Sequence, residues 1–84
     1  MGEARCFRID GRDNVATMLD DVAGGEVRVI GESGGAPLAV TEPIELGHKV
    51  ALRDIAAGEA IVKYGVPIGR ASRGIRRGAW VHLH

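Results

Sequence analysis

Ile55-Ala56-Ala57-Gly58-Glu59-Ala60-Ile61 is the stretch that decides the fold. An aliphatic residue is followed by two spacers, a glycine, and a run with β character. A glycine at that place closes a tight turn that other residues resist, and the aliphatic residue anchors the turn to a core. The same spacing recurs in Val22-Ala23-Gly24-Gly25-Glu26-Val27-Arg28 and in Ile75-Arg76-Arg77-Gly78-Ala79-Trp80-Val81. Three such changes of direction in 84 residues predict a compact, folded-over β structure rather than a flat sheet. Gly-Glu turns are common, so the pattern speaks to fold and not to function.

Working outward, Cys6-Phe7-Arg8-Ile9 reads as a first strand. Asp13 then has the character of a helix N-cap, with its carboxylate available to free backbone N–H groups. Val15, Ala16, Met18, Leu19 and Val22 recur at helical spacing before Gly24-Gly25, which predicts one short helix near the N-terminus. Everything after it reads as β. Strands are expected over Glu26 to Ile30, Leu38 to Val40, Lys49 to Leu52, Ala60 to Lys63, Ile68 to Ser72 and Trp80 to His84. Gly31 to Gly35 forms a turn, and Tyr64-Gly65-Val66-Pro67 forms a hairpin connection.

Bulk properties narrow the class. A chain of this length makes one domain, residues 1–84, and buries roughly 60–65% of its unfolded surface. Eleven basic residues balance eleven acidic ones, and no basic run is interleaved with aromatics. That argues against nucleic acid and against a membrane surface as partners. No apolar run is long enough to span a bilayer. A lone Cys6 forms no internal disulfide, and the charged, mixed N-terminus lacks the look of a signal peptide. Both fit a cytoplasmic location.

All three histidines fall in the C-terminal half. In a strand, Trp80, His82 and His84 point to one face, and Val81 and Leu83 to the other. Two imidazoles spaced by two residues lie roughly 6–7 Å apart at their backbones, close enough to share a metal or flank a small anion. They suit either metal ligation or acid–base chemistry near neutral pH. The plainer reading is two exposed histidines on an edge strand. A His-x-His pair needs a further ligand, which His48 supplies only if the fold brings it near. His48-Lys49 beside a turn suits a carboxylate, or is simply a polar turn. Asp13-Asn14 caps a helix, or uses a helix N-terminus to hold an anion. Arg70, Arg73, Arg76 and Arg77 form either a solvated basic cluster or a docking site for an acidic substrate or subunit. No phosphate loop, nucleophile elbow or Cys-x-x-Cys pair is present.

Several motifs agree in order and spacing. These are Asp13-Asn14-Val15-Ala16, Gly47-His48-Lys49-Val50-Ala51-Leu52, Ile55-Ala56-Ala57-Gly58-Glu59 and Ile61-Val62-Lys63-Tyr64-Gly65. Pro67-Ile68-Gly69-Arg70-Ala71, Ile75, Gly78 and Val81-His82-Leu83-His84 follow. Together they resemble the SAF domain of the altronate and galactarate dehydratase family, most weakly between Gly31 and Ile44. The resemblance implies a mainly β, β-clip fold of the antifreeze-like SAF type. It also implies a small subunit or separated N-terminal domain that completes the active site of a larger catalytic subunit. The reaction implied is β-elimination of water from a sugar acid, with Fe2+ or another divalent metal that the large subunit holds wholly or in part.

On that basis His48, His82 and His84 are the candidate catalytic residues, and Lys49, Asp13 and Asn14 the candidate substrate-binding ones. The small subunit of sulfolactate sulfo-lyase, which serves elimination of sulfite, is similar. A stand-alone SAF binding module is the remaining alternative. The family's closing motif continues past its second histidine with an asparagine, where this sequence ends at His84.

Overall fold

The structure, a computed structural model, describes residues 3–32 and 35–82. Eight strands run through them: β1 (Arg5–Arg8), β2 (Val15–Met18), β3 (Gly25–Gly31), β4 (Pro37–Val40), β5 (Lys49–Ala51), β6 (Ala60–Lys63), β7 (Val66–Arg70) and β8 (Trp80–Val81). Six form one sheet in the order β4-β3-β1-β2-β5-β8, and β6-β7 form a hairpin. All neighbours are antiparallel except β1 and β3. The mainly β, folded-over architecture expected of a β-clip is the one the chain adopts.

The helix expected after Asp13 is absent, and Val15–Met18 is strand β2 instead. The reason lies in the core, which has two parts on opposite faces of the central strands. Cys6, Ala16, Met18, Val27, Val29, Leu38, Val40, Ile44 and Val50 make one cluster. Val15, Ala51, Ile55, Ile61, Ala71 and Val81 make the other. Successive residues of a strand alternate faces, so β2 sends Ala16 and Met18 to the first and Val15 to the second. β5 divides likewise between Val50 and Ala51. A strand buried on both faces reads as a continuous apolar run and loses its period of two, which is how it mimics a helix.

The turn unit is real, with one change of membership. Ile44-Glu45-Leu46-Gly47-His48-Lys49-Val50 joins the units at Ile55 and Ile75, and Val22 serves as bridge partner to Ile44. In each unit the residue after the glycine donates its N–H three residues back: His48 to Glu45, Glu59 to Ala56, Ala79 to Arg76, at 2.9–3.0 Å. Gly47, Gly58 and Gly78 have φ of 89°, 82° and 87°, the positive angle of a type II turn's third residue. Each glycine N–H then donates to a neighbouring segment: Gly47 to Met18, Gly58 to Ala71, Gly78 to Ala51, all at 2.8 Å. Ile55 and Ile75 exchange two further backbone bonds, tying two units together.

The hairpin connection is shorter than expected. Tyr64 and Gly65 alone turn the chain, with φ of 60° and 74°, while Val66 and Pro67 already belong to β7. No helix among the described residues is long and apolar enough to cross a membrane.

Candidate functional site

Strand register assembles the site. β5 and β8 pair Lys49 with Val81 and Val50 with Trp80. Continuing the same ladder by one residue sets His48 level with His82, just beyond the end of each strand. The Trp80 ring lies against both: 5.3 Å from the His48 ring, edge to face at 71°, and 3.7 Å from the His82 ring, tilted by 39°. Trp80 is half-buried against the first core cluster, whereas His48 and His82 are exposed. A polar–aromatic–polar row thus crosses the open end of the sheet, its indole fixed and its imidazoles accessible. Imidazoles so placed can exchange protons with a bound molecule or hydrogen-bond to it.

Lys49 does not join the row. It alternates to the other face, opposite Thr17 and Val81. Asp13 and Asn14 stand just beyond the far end of β2, about 13–17 Å away along the strand at its usual rise. Both are buried, at 2% and 3% exposure, and both are engaged by backbone. Asp13 accepts the N–H groups of Asp10 (3.0 Å) and Gly65 (2.8 Å). Asn14 donates its amide to Ala60 O (2.9 Å) and accepts the Val62 N–H (2.8 Å). The capping chemistry expected of Asp13 is present, but it holds a loop and a hairpin rather than a helix. His84 lies outside the described residues.

A groove of ≈ 790 Å³ opens beside the row, lined by Thr41, Glu42, Ser72, Arg73, Arg76, Trp80 and His82 among others. It divides the basic cluster in two. Arg70 donates to Gly58 O at 2.8 Å, and Arg77 to Leu52 O at 3.2 Å, so both serve turns. Arg73 and Arg76 line the groove, and neither side chain has a hydrogen-bond or ion-pair partner among the described residues. Glu42 faces the groove but accepts the Trp80 backbone N–H at 3.0 Å. Sequence reasoning placed Trp80 beside His82 and flagged all four arginines. It did not separate the tied pair from the free one, nor find Glu42.

Cys6 has no exposed surface, and burial pushes its thiol up to about 11, away from the thiolate a nucleophile requires. No group of three or more His, Cys, Asp or Glu among the described residues is arranged to hold a metal ion. His48 and His82 alone do not fit the divalent metal that the resemblance implies, because a protein site needs more donors.

Comparison with known proteins decides the family. Residues 4–84 match the model of the altronate/galactarate dehydratase SAF domain. The chain belongs to that family. This SAF domain is 42% identical to altronate dehydratase of Bacillus subtilis over 78 residues, which is 93% of the chain and 15% of that enzyme. It is 40% identical over 75 residues to the galactarate dehydratase (L-threo-forming) of Escherichia coli, 89% of the chain and 14% of the relative. A third relative is the (2R)-sulfolactate sulfo-lyase subunit alpha of Chromohalobacter salexigens, 49% identical over 45 residues, 54% of the chain and 48% of the relative. The SAF domain therefore spans about one seventh of the dehydratases it matches and about half of the sulfo-lyase subunit.

Proposed function

We propose that this SAF domain works with a larger catalytic part of a sugar-acid dehydratase, fused or separate, and lends the His48–Trp80–His82 row to its active site. The observation that carries the reading is the cross-strand placement of two accessible imidazoles against one indole, in a domain whose relatives include two dehydratases.

Elimination of water from a hydroxy acid needs a base to remove the proton α to the carboxylate and an acid to protonate the departing hydroxyl. An imidazole suits either task, its neutral form accepting the first proton and its protonated form giving up the second. The divalent metal belongs, in this reading, to the larger part. His84 extends the row in sequence. Lys49, on the opposite face, suits contact with the partner better than contact with the substrate. Asp13 and Asn14 act on this reading by holding the hairpin to the sheet.

The identity to a sulfo-lyase subunit supports a second reading, in which the same row serves departure of sulfite. The test is recovery of the chain from its host with whatever binds it, followed by assay of the complex on altronate, galactarate and sulfolactate. A large polypeptide with dehydratase activity is expected. His82→Ala should lower turnover by about a hundredfold or more, the usual contribution of a positioned acid or base. Unchanged turnover removes His82 from the site. Recovery of an inert chain alone favours an independent binding module.

A further inference from the structure

Ser72 to Ala79 forms one wall of the groove, and its anchor is fixed. Ile55 and Ile75 donate to each other's carbonyls at 2.8 Å each, so the backbone between Arg73 and Arg76 is held at Ile75. Arg73 and Arg76 flank that anchor in sequence and line the same groove as Trp80 and His82. Among the other arginines, Arg5, Arg12 and Arg53 pair with Asp20, Asp10 and Glu59, and Arg8, Arg70 and Arg77 donate to backbone carbonyls. Arg28 is likewise without a side-chain partner among the described residues, but it lies outside this groove, beside Asp20 and Asp21. Arg73 and Arg76 carry two charges into a concave surface where Glu42 brings one, already engaged by the Trp80 N–H.

We propose that Arg73 and Arg76 form an anion grip that holds the carboxylate of a small hydroxy acid, with the acid's carbon chain lying along Trp80 and His82. Guanidinium groups present planar, paired donors that match a carboxylate better than an ammonium does. The groove falls within the range of roughly 300–1,000 Å³ typical of small-ligand sites. Ser72 and Glu42 supply hydroxyl and carboxylate groups suited to the ligand's hydroxyls. The inference rests on the proposed function for the choice of a hydroxy acid. It goes beyond that reading in assigning the carboxylate to this chain rather than to the larger part.

Trp80 is the one tryptophan in the sequence, so its fluorescence reports on the groove without a label. The 84-residue chain is titrated with galactarate, with altronate, and with galactitol as the uncharged counterpart. A saturable change with the acids and none with galactitol is expected. Arg73→Gln and Arg76→Gln should each weaken binding by about tenfold, the worth of one charge-assisted contact, with unchanged circular dichroism and melting temperature. Arg5→Gln, whose residue lies on β1 outside the groove, should bind like wild type.

A flat titration overturns the proposal, and so does equal affinity in the Arg73 and Arg76 variants or an equal response to galactitol. In the assembled enzyme Arg73→Gln should raise KM while kcat is kept. A complex that depends on His82 for turnover yet keeps its KM in both arginine variants would sink the grip and leave the proposed function standing.

Discussion

Asn14 and Val62 are joined in both directions: the Asn14 backbone N–H donates to Val62 O at 3.2 Å, and the Val62 N–H donates to Asn14 Oδ1 at 2.8 Å. The side chain thus continues a ladder that the Asn14 backbone begins, and it welds the β6–β7 hairpin to the large sheet. Asn14→Ala leaves the Val62 N–H and the Ala60 carbonyl without partners in a part-buried seam. The expected loss is about 2–4 kcal/mol, one desolvation penalty for each abandoned group. Urea unfolding measures it. If the variant melted like wild type but raised KM in the assembled enzyme, Asn14 would be a substrate ligand instead.

Gly58 and Gly78 share a backbone angle but not a neighbourhood. A Cβ on Gly58 meets nothing within 4 Å, whereas one on Gly78 runs into the Ala39 carbonyl. Gly58→Ala should therefore cost only the strain of a positive φ, about 1–2 kcal/mol. Gly78→Ala should cost distinctly more, about 3 kcal/mol or above, because β4 must move as well. Equal melting temperatures for the two variants would contradict this packing of the third turn against β4.

Acid should weaken the loop that precedes β2. The Arg12 side chain, then its backbone N–H, holds the Asp10 carboxyl down from 3.8 to about 2. The folded value lies below the unfolded one, so the stabilisation is present above about pH 4 and fades as pH falls toward about 2. Wild type should lose unfolding midpoint across that window, and Arg12→Gln should lose less. An identical decline in the two proteins would place the acid sensitivity elsewhere. Asp20 and Glu59 are the next candidates, lowered chiefly by hydrogen bonds from Arg5 and Arg53.

Much of this architecture is legible from residue order because it is local. Ala60–Lys63 and the turn at Tyr64-Gly65 form a hairpin with the strand that follows directly, and the turns of the units at Ile55 and Ile75 each close over three residues. The row on the last strand follows from alternation, which sets Trp80 and His82 on one face. What escapes the sequence depends on distant partners. β2 resembles a helix because two separate cores cover its two faces. Asp13 resembles an N-cap because its carboxylate does bind backbone N–H groups, but one belongs to Gly65, 52 positions on. Arg73 and Arg77 are alike in composition, and only the fold ties the second to a carbonyl. The unit at Ile44 was visible in principle, since Ile44-x-x-Gly47 fits the spacing as well as Val22-x-x-Gly25 does.

The Glu42–Trp80 contact has one more effect. β8 ends the six-stranded sheet, and the Trp80 N–H on its outer side is occupied by a carboxylate. The Gly78 carbonyl nearby accepts the Thr41 N–H. An edge with its donors and acceptors already filled is a poor template for another chain's strand. Aggregation by ladder growth is blocked at these positions. Whatever approaches this margin must therefore recognise it by shape and charge rather than by lengthening the sheet.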